Sequence, residues 1–169
     1  ASLFWVQSAH AYTITLEQVG SNVVGNGNGA INLTGLSFEF ESGAGLVAGI
    51  QPNHAVILPV GGDFELNAYS GFTGPANFGS GGFISATTSS GDPIFLFAGD
   101  GEIFLPTGYV SGSPLSDGMT FSNATFATLG VTPGTYVWTW GTGLPNQNFT
   151  LVIGGAGVPD GGSTVSLLG

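Results

Sequence analysis

Apolar residues recur at every second position through much of this chain, and nowhere do they sustain the i, i+3, i+4, i+7 spacing of an amphipathic helix. That period belongs to strands, whose successive side chains point to opposite faces. It is sharpest over residues 134–141, where Tyr136, Trp138 and Trp140 alternate with Val137 and Thr139. Phe149, Leu151 and Ile153 repeat it, with Asn148, Thr150 and Val152 opposite. The GTGLPNQ between them is loop chemistry, so the two segments are read as a hairpin. Ahead of them, Thr132, Pro133, Gly134 and Thr135 read as a type II turn.

The same alternation predicts a first strand at 12–17 and others at 30–33, 36–41, 45–50, 55–60, 64–69, 83–88, 94–98 and 103–105. In 36–41, Leu36, Phe38 and Phe40 are expected to face inward, with Ser37, Glu39 and Glu41 outward. A strand broken near Asn123 is expected over 119–129. GNGNG at 25–29 reads as a turn, and residues 71–82 and 110–118 as loops. No period of 20–50 residues repeats. With 169 residues punctuated by 31 glycines and 9 prolines, the expectation is a single all-β domain. It is an antiparallel β-sandwich, jelly-roll-like or immunoglobulin-like, with Gly-rich loops and little or no helix.

Ten acidic residues stand against no lysine or arginine. Salt bridges to those cations are therefore absent, and nucleic acid is excluded as a partner, because phosphate contacts rest mainly on cationic side chains. The charge of -10 separates molecules at low salt, and divalent cations or ionic strength relax that repulsion. With no cysteine there is neither a disulfide framework nor thiolate chemistry.

No catalytic residues are assigned. His10 and His54 are the only histidines, and PNHAVILP around His54 has no G-x-S-x-G elbow. Glu39 and Glu41 lie on one face of one strand, whereas glycosidase carboxylates flank a cleft, so they read as a solvated face that discourages edge pairing. Two histidines without cysteine do not suit zinc. Calcium fits better, through Asp100 and Glu102 with Asp92, Asp63 and loop carbonyls, although no D-x-[DN]-x-[DN]-G loop is present. No other cofactor is implied. Asn32, Asn123 and Asn148 begin glycosylation sequons.

Val158, Pro159, Asp160, Gly161 and Gly162, running into Ser163, Thr164 and the apolar end, resemble the C-terminal sorting signal of PEP-CTERM proteins in its Val-Pro-Asp-Gly-Gly variant. At the other end, Leu3, Phe4, Trp5 and Val6 followed by Ala9, His10 and Ala11 look like the close of a signal peptide with an A-x-A cleavage site. The alternative is that residues 1–11 form an N-terminal strand. The stretch 12–153 is similar to small exported PEP-CTERM proteins of undetermined function from exopolysaccharide-producing bacteria. The resemblance implies an exported chain, a sorting protease of the exosortase type as a partner, and a place on the outer cell surface or in the extracellular matrix. It transfers no active site. The division expected is a leader or strand at 1–11, a sandwich domain at 12–155 and a Gly-rich tail with a truncated sorting signal at 156–169.

Two functions follow as expectations. One is a non-enzymatic structural protein of surface, matrix or biofilm that assembles with copies of itself, with Leu3, Phe4, Trp5 and Val6 adding as a strand to a neighbour's sheet to build a filament. The other is an exopolysaccharide-binding module in which Tyr109, Trp138, Trp140 and Phe72 supply stacking faces, assisted by calcium. An exposed aromatic row at 136–140 favours the second, a buried row the first.

Overall fold

The computed structural model describes residues 9–154. In chain order the strands are β1 (Tyr12–Val19), β2 (Asn22–Ala30), β3 (Ser37–Leu46), β4 (Gly49–Gln51) and β5 (Val56–Leu58). They continue as β6 (Gly62–Ser70), β7 (Ile84–Ser85), β8 (Thr88–Gly91), β9 (Phe95–Phe97) and β10 (Glu102–Pro106). The last three are β11 (Pro114–Phe121), β12 (Gly134–Thr139) and β13 (Asn148–Ile153). One short helix, α1 (Phe126–Leu129), is capped by Thr125, whose Oγ1 accepts from the Thr128 N–H, and ends on Gly130 at φ +66°.

Two sheets pack face to face as an all-β sandwich. One, sheet A, has the order β12-β13-β1-β2-β11-β8, and the other, sheet B, the order β3-β6-β10-β9-β5-β4-β7. The expected β12–β13 hairpin is present, Tyr136 facing Leu151 and Trp138 facing Phe149. Among the described residues the strand pairs are antiparallel except β1 with β13, which run parallel with Tyr12 beside Phe149. The core between the sheets is built from Tyr12, Ile14, Leu16, Phe121, Trp138 and Leu151 of sheet A and Ile50, Ile57, Leu96 and Ile103 of sheet B. Across sheet B a single lateral row runs Ile84, Ile50, Ile57, Leu96, Ile103, Tyr69 and Phe38, one residue per strand.

Several local expectations are corrected. GNGNG is not a turn. It lies within β2, between β1 and β11, and its inward positions are Gly25, Gly27 and Gly29. Side chains from the neighbouring strands occupy the space where theirs would be: a Cβ on Gly25 would stand 2.9 Å from Leu16 Cδ2 and 3.1 Å from Met119 Cγ. At Gly27 it would overlap the Tyr12 hydroxyl and the Asp117 carboxylate. Residues 31–33 carry no strand, and residues 114–118, expected as loop, open β11. After Phe121 the chain turns at Asn123 (φ +51°) into α1 rather than continuing as a strand. Gly134 takes φ +155° and starts β12, which is not the roughly +80° of a type II turn.

The glycine-rich segment 71–82 forms a wall along one side of the sandwich. Phe78 is fully buried, Thr73 bridges Thr139, and Gly79 bridges Val131. Gly74 lies against the Trp138 indole, whose Nε1 donates to Pro75 O at 2.9 Å.

Gly27→Ala should lower stability by about 1–3 kcal/mol, since its methyl overlaps two side chains held by a hydrogen bond. Gly82→Ala, at a position with nothing within 4 Å, should change it by no more than about 0.5 kcal/mol. Chemical denaturation of the two variants beside the wild type measures both; equal effects would refute the packing account of the β2 glycines.

Candidate functional site

Aromatic residues at 136–140 form no platform. Trp138 and Trp140 are buried, and Trp140 Nε1 donates to Asn32 O at 2.8 Å. Tyr136 packs on Phe78 and donates its hydroxyl to Thr132 O. Tyr109 is committed as well: its hydroxyl donates to Ser113 O at 2.6 Å and accepts the Ile31 N–H. Trp138 and Trp140 offer no open ring face for a sugar, because both indoles are buried, and Tyr109 is half-buried with its hydroxyl bound to backbone.

The strand that sequence spacing oriented wrongly is β3. Its register shifts between Phe38 and Phe40, so Phe38 pairs with Tyr69 and Phe40 with Ala68. Tyr69 and Ala68 are adjacent and point to opposite faces, so this β-bulge at Glu39 sends the two phenylalanines to opposite sides of sheet B. Phe38 meets the Tyr69 ring edge-on at 6.0 Å, and Phe40 meets Phe104 at 6.1 Å. Both are exposed, 55% and 44%, rather than inward. Glu39 is fixed at the bulge by accepting the Ser70 hydroxyl at 2.5 Å. At the edge of sheet B, β3 is paired on one side only among the described residues. Beyond Glu41 it continues as Ser42, Gly43, Ala44, Gly45 and Leu46, with no charge.

A buried polar pair sits inside sheet A. Tyr12, on β1, donates its hydroxyl to Asp117 Oδ2 at 2.5 Å across the bare surface of Gly27. The other oxygen, Oδ1, is buried with no hydrogen-bond partner among the described residues. Burial pushes the Asp117 carboxyl up to about 7, against the Tyr12 hydrogen bond, which lowers it, and with help from the charge of Asp92. Burial, together with that carboxylate, drives the Tyr12 phenol well above its usual range. Sequence reasoning missed this pair. Its only signal is a Gly27 that leaves room and an aspartate at an inward position of an alternating strand.

The calcium candidates are distributed. Asp92 accepts the Ser116 N–H beside Asp117, while Asp100 lies in the turn between β9 and β10 and Glu102 opens β10. Among the described residues no three His, Asp or Glu side chains gather closely enough to hold a metal ion. His54 is exposed in a 3₁₀ turn and hydrogen-bonds Asn53 Oδ1 at 3.0 Å. Near the start of the described chain, Ala9 O accepts from Asn146 Nδ2, His10 O accepts the Ala30 N–H, and Ala11 bridges Ala30. Ala9 and Ala11 are thus in contact with the sandwich. Leu3, Phe4, Trp5, Val6 and the motif from Val158 to Gly162 lie outside the described residues. No described helix is long and apolar enough to cross a membrane.

An open groove of about 640 Å³ lies at the ends of β12 and β13, lined by Thr73, Val137, Thr139, Leu144, Gln147 and Asn148 among others. Its loop hangs on Gln147, whose Oε1 accepts the N–H groups of Thr142, Gly143 and Leu144 while Nε2 donates to Thr34 O.

Comparison with known proteins gives no relative: no family model, no curated protein and no solved structure matches the chain.

The pH dependence of stability follows from Asp117. Its folded value of about 7 lies above the ordinary 3.8, so between those values the folded state holds the proton that the unfolded chain releases. This contribution is fully present below about pH 4 and is lost as pH rises towards 7, the reverse of a salt-bridged carboxylate. Acidification from pH 7.5 to 5 should therefore stabilise the wild type by on the order of 2 kcal/mol more than Asp117→Asn. Thermal unfolding of both across that range is the measurement, and parallel profiles would rule the assignment out.

Proposed function

We propose that the chain is an exported, non-enzymatic structural protein of the cell surface or extracellular matrix that assembles with copies of itself by strand addition. The observation that carries the reading is β3, a ten-residue edge strand paired on one side among the described residues. Such an edge presents a row of free backbone donors and acceptors that an extended segment of another chain can extend. Glu39, Glu41 and the bulge guard its first half, since charges and bulges oppose promiscuous pairing. The charge-free half from Ser42 to Leu46 is where addition would be tolerated. Leu3, Phe4, Trp5 and Val6 supply a donor of the right character, four apolar residues with two of them aromatic. Export, and handling by an exosortase-type protease, rest on the resemblance of Val158 to Gly162 to the sorting signal.

A second reading, an exopolysaccharide-binding module assisted by calcium, is favoured by the groove beside Gln147, where threonine hydroxyls and the Asn148 amide border Leu144 and Val137. It predicts that oligosaccharides of the producing cell's own polymer bind the isolated protein and that Asn148→Ala weakens them, read by calorimetry with and without calcium. Binding unaffected by Asn148→Ala would exclude this groove.

Strand addition is tested on the full chain by negative-stain electron microscopy. Filaments or sheets are expected, denser when salt or calcium screens the ten carboxylates, and absent in Trp5→Asp and in Ser42→Asp. Dispersed particles from the wild type under all these conditions, or filaments that survive both substitutions, would overturn the reading.

A further inference from the structure

Sheet B is apolar on both of its faces. The inner face carries the lateral row from Ile84 to Tyr69, which packs on sheet A, and the row ends on the exposed Phe38 at the sheet edge. The outer face carries a second row, Phe40, Ala68, Phe104 and Phe95, directly opposite one another on β3, β6, β10 and β9. Phe97 stands 5.4 Å from Phe104, and Phe64 stands 5.7 Å from Phe95. Beneath these rings Val56, Leu58, Leu66 and Phe95 are buried, forming a small core of their own, while Leu46, Phe64, Phe97 and Phe104 roof it half-buried. Among the described residues no further layer covers that roof.

The sequence marks these strands in the same way. Val56-Ile57-Leu58, Phe95-Leu96-Phe97 and Ile103-Phe104-Leu105 are unbroken apolar runs, the pattern of strands covered on both faces, whereas Tyr12 to Glu17 alternates with threonine and glutamate. A one-sided sheet has no need of such runs.

Charge and apolar lining together bear on the occupant. Glu102, beside Phe97, is the carboxylate that the register places on the outer face, and Glu39 reaches its far rim at the bulge through Ser70. Glu41, Glu65 and Asp63 alternate to the other side of the β3–β6 ribbon, opposite or beside Asn67, Gly43 and Gly45. A cationic partner would gain almost nothing here. A second copy, itself at -10 and without a cation, meets little repulsion at this face, and of the two outer sheet faces, each with one in-register carboxylate (Glu17 on sheet A, Glu102 on sheet B), this is the one lined by rings.

We propose that the outer face of sheet B packs against the same face of a second copy, giving a two-fold dimer with four stacked sheets. Facing rings of Phe40, Phe64, Phe97 and Phe104 would interdigitate as side chains do between the sheets of one sandwich, about 10 Å apart. The inference shares with the strand-addition reading only the choice of a second copy as partner. The surface is different, so the two fail separately.

Sedimentation analysis of the full chain, in wild type, Phe40→Glu, Phe104→Glu and a form lacking residues 1–8, tests it. The wild type is expected to dimerise, more tightly as salt is raised, and the form without residues 1–8 to dimerise equally while losing filaments. Each glutamate should weaken the dimer by at least about tenfold, as removal of a central aromatic anchor does. Phe40→Glu, at a 44%-exposed edge position, should leave the melting curve unchanged and so keeps the test decisive if Phe104→Glu unfolds. A wild type that stays monomeric, a dimer indifferent to Phe40→Glu in the folded protein, or a dimer that disappears with residues 1–8 would each overturn the proposal. The last would mean that the chain's own apolar end occupies the face.

Discussion

Much of the sandwich depends on a strip of β2 that has no side chains. Gly25, Gly27 and Gly29 occupy successive inward positions of a strand flanked by β1 and β11. Glycine weakens a strand in isolation, through the backbone freedom it gives up on folding. Here that cost is offset because the large neighbours lean into the vacated strip. Leu16 and Met119 close over Gly25, and Tyr12 and Asp117 meet over Gly27. Tyr12 can be fully buried, beside Phe149 at 5.0 Å, only because its hydroxyl reaches an acceptor across that gap. Two features that look unrelated, a low-complexity GNGNG and a carboxyl titrating near neutrality, are one packing solution.

A chain without lysine or arginine must fix its loops by other means, and neutral amides do so. Gln147 holds three N–H groups of the 142–144 loop on one oxygen, and Gln18 Nε2 donates to the carbonyls of Gly20, Asn22 and Ala124. Each amide ties several backbone groups of one loop to a single side chain, so one residue fixes the path of the segment. Asn146 and Tyr109 act similarly on Ala9 and on Ile31 and Ser113. Among the described residues the acids are otherwise left at least partly exposed, and burial raises Asp117 towards the neutral form.

Alternation made β1, β12 and β13 legible, because their side chains obey a strict period of two with one face buried. It failed wherever identity and period disagree. In β2 the inward residues are glycines, so composition pointed to a turn although the backbone is extended. In β3 the period itself breaks, since one extra residue at Glu39 reverses every side chain after it, and no feature of FEFE announces a bulge. Residues 71–82 read as loop correctly but not as a wall, because Phe78 is one buried aromatic among glycines whose role is close approach to Gly130 and Trp138. Of the candidate sites, aromatic identity suggested stacking platforms at Tyr109, Trp138 and Trp140. Tertiary contacts decided otherwise: each ring has a backbone oxygen waiting for its N–H or O–H.

The two sheets differ in a way that orients the whole molecule. The outer positions of sheet A are mostly polar, Thr13, Thr15, Asn26, Asn28, Ser116, Thr120 and Thr150, with Glu17 and the scattered valines Val24, Val137 and Val152 among them. Those of sheet B are dominated by phenylalanine, leucine and valine, with Glu102 the one carboxylate in register among them. A sandwich needs only its inner faces apolar to fold, so the second apolar face of sheet B adds little that the monomer requires beyond its small satellite core. Large apolar patches on soluble chains mark contact surfaces or aggregation hazards, and the bulge decides between these outcomes. By turning Phe38 and Phe40 to opposite sides and leaving Glu39 at the corner, it bends the edge next to the aromatic face and limits uncontrolled growth from it. The same irregularity that obscured β3 in the sequence therefore separates the flat aromatic face of sheet B from its exposed edge.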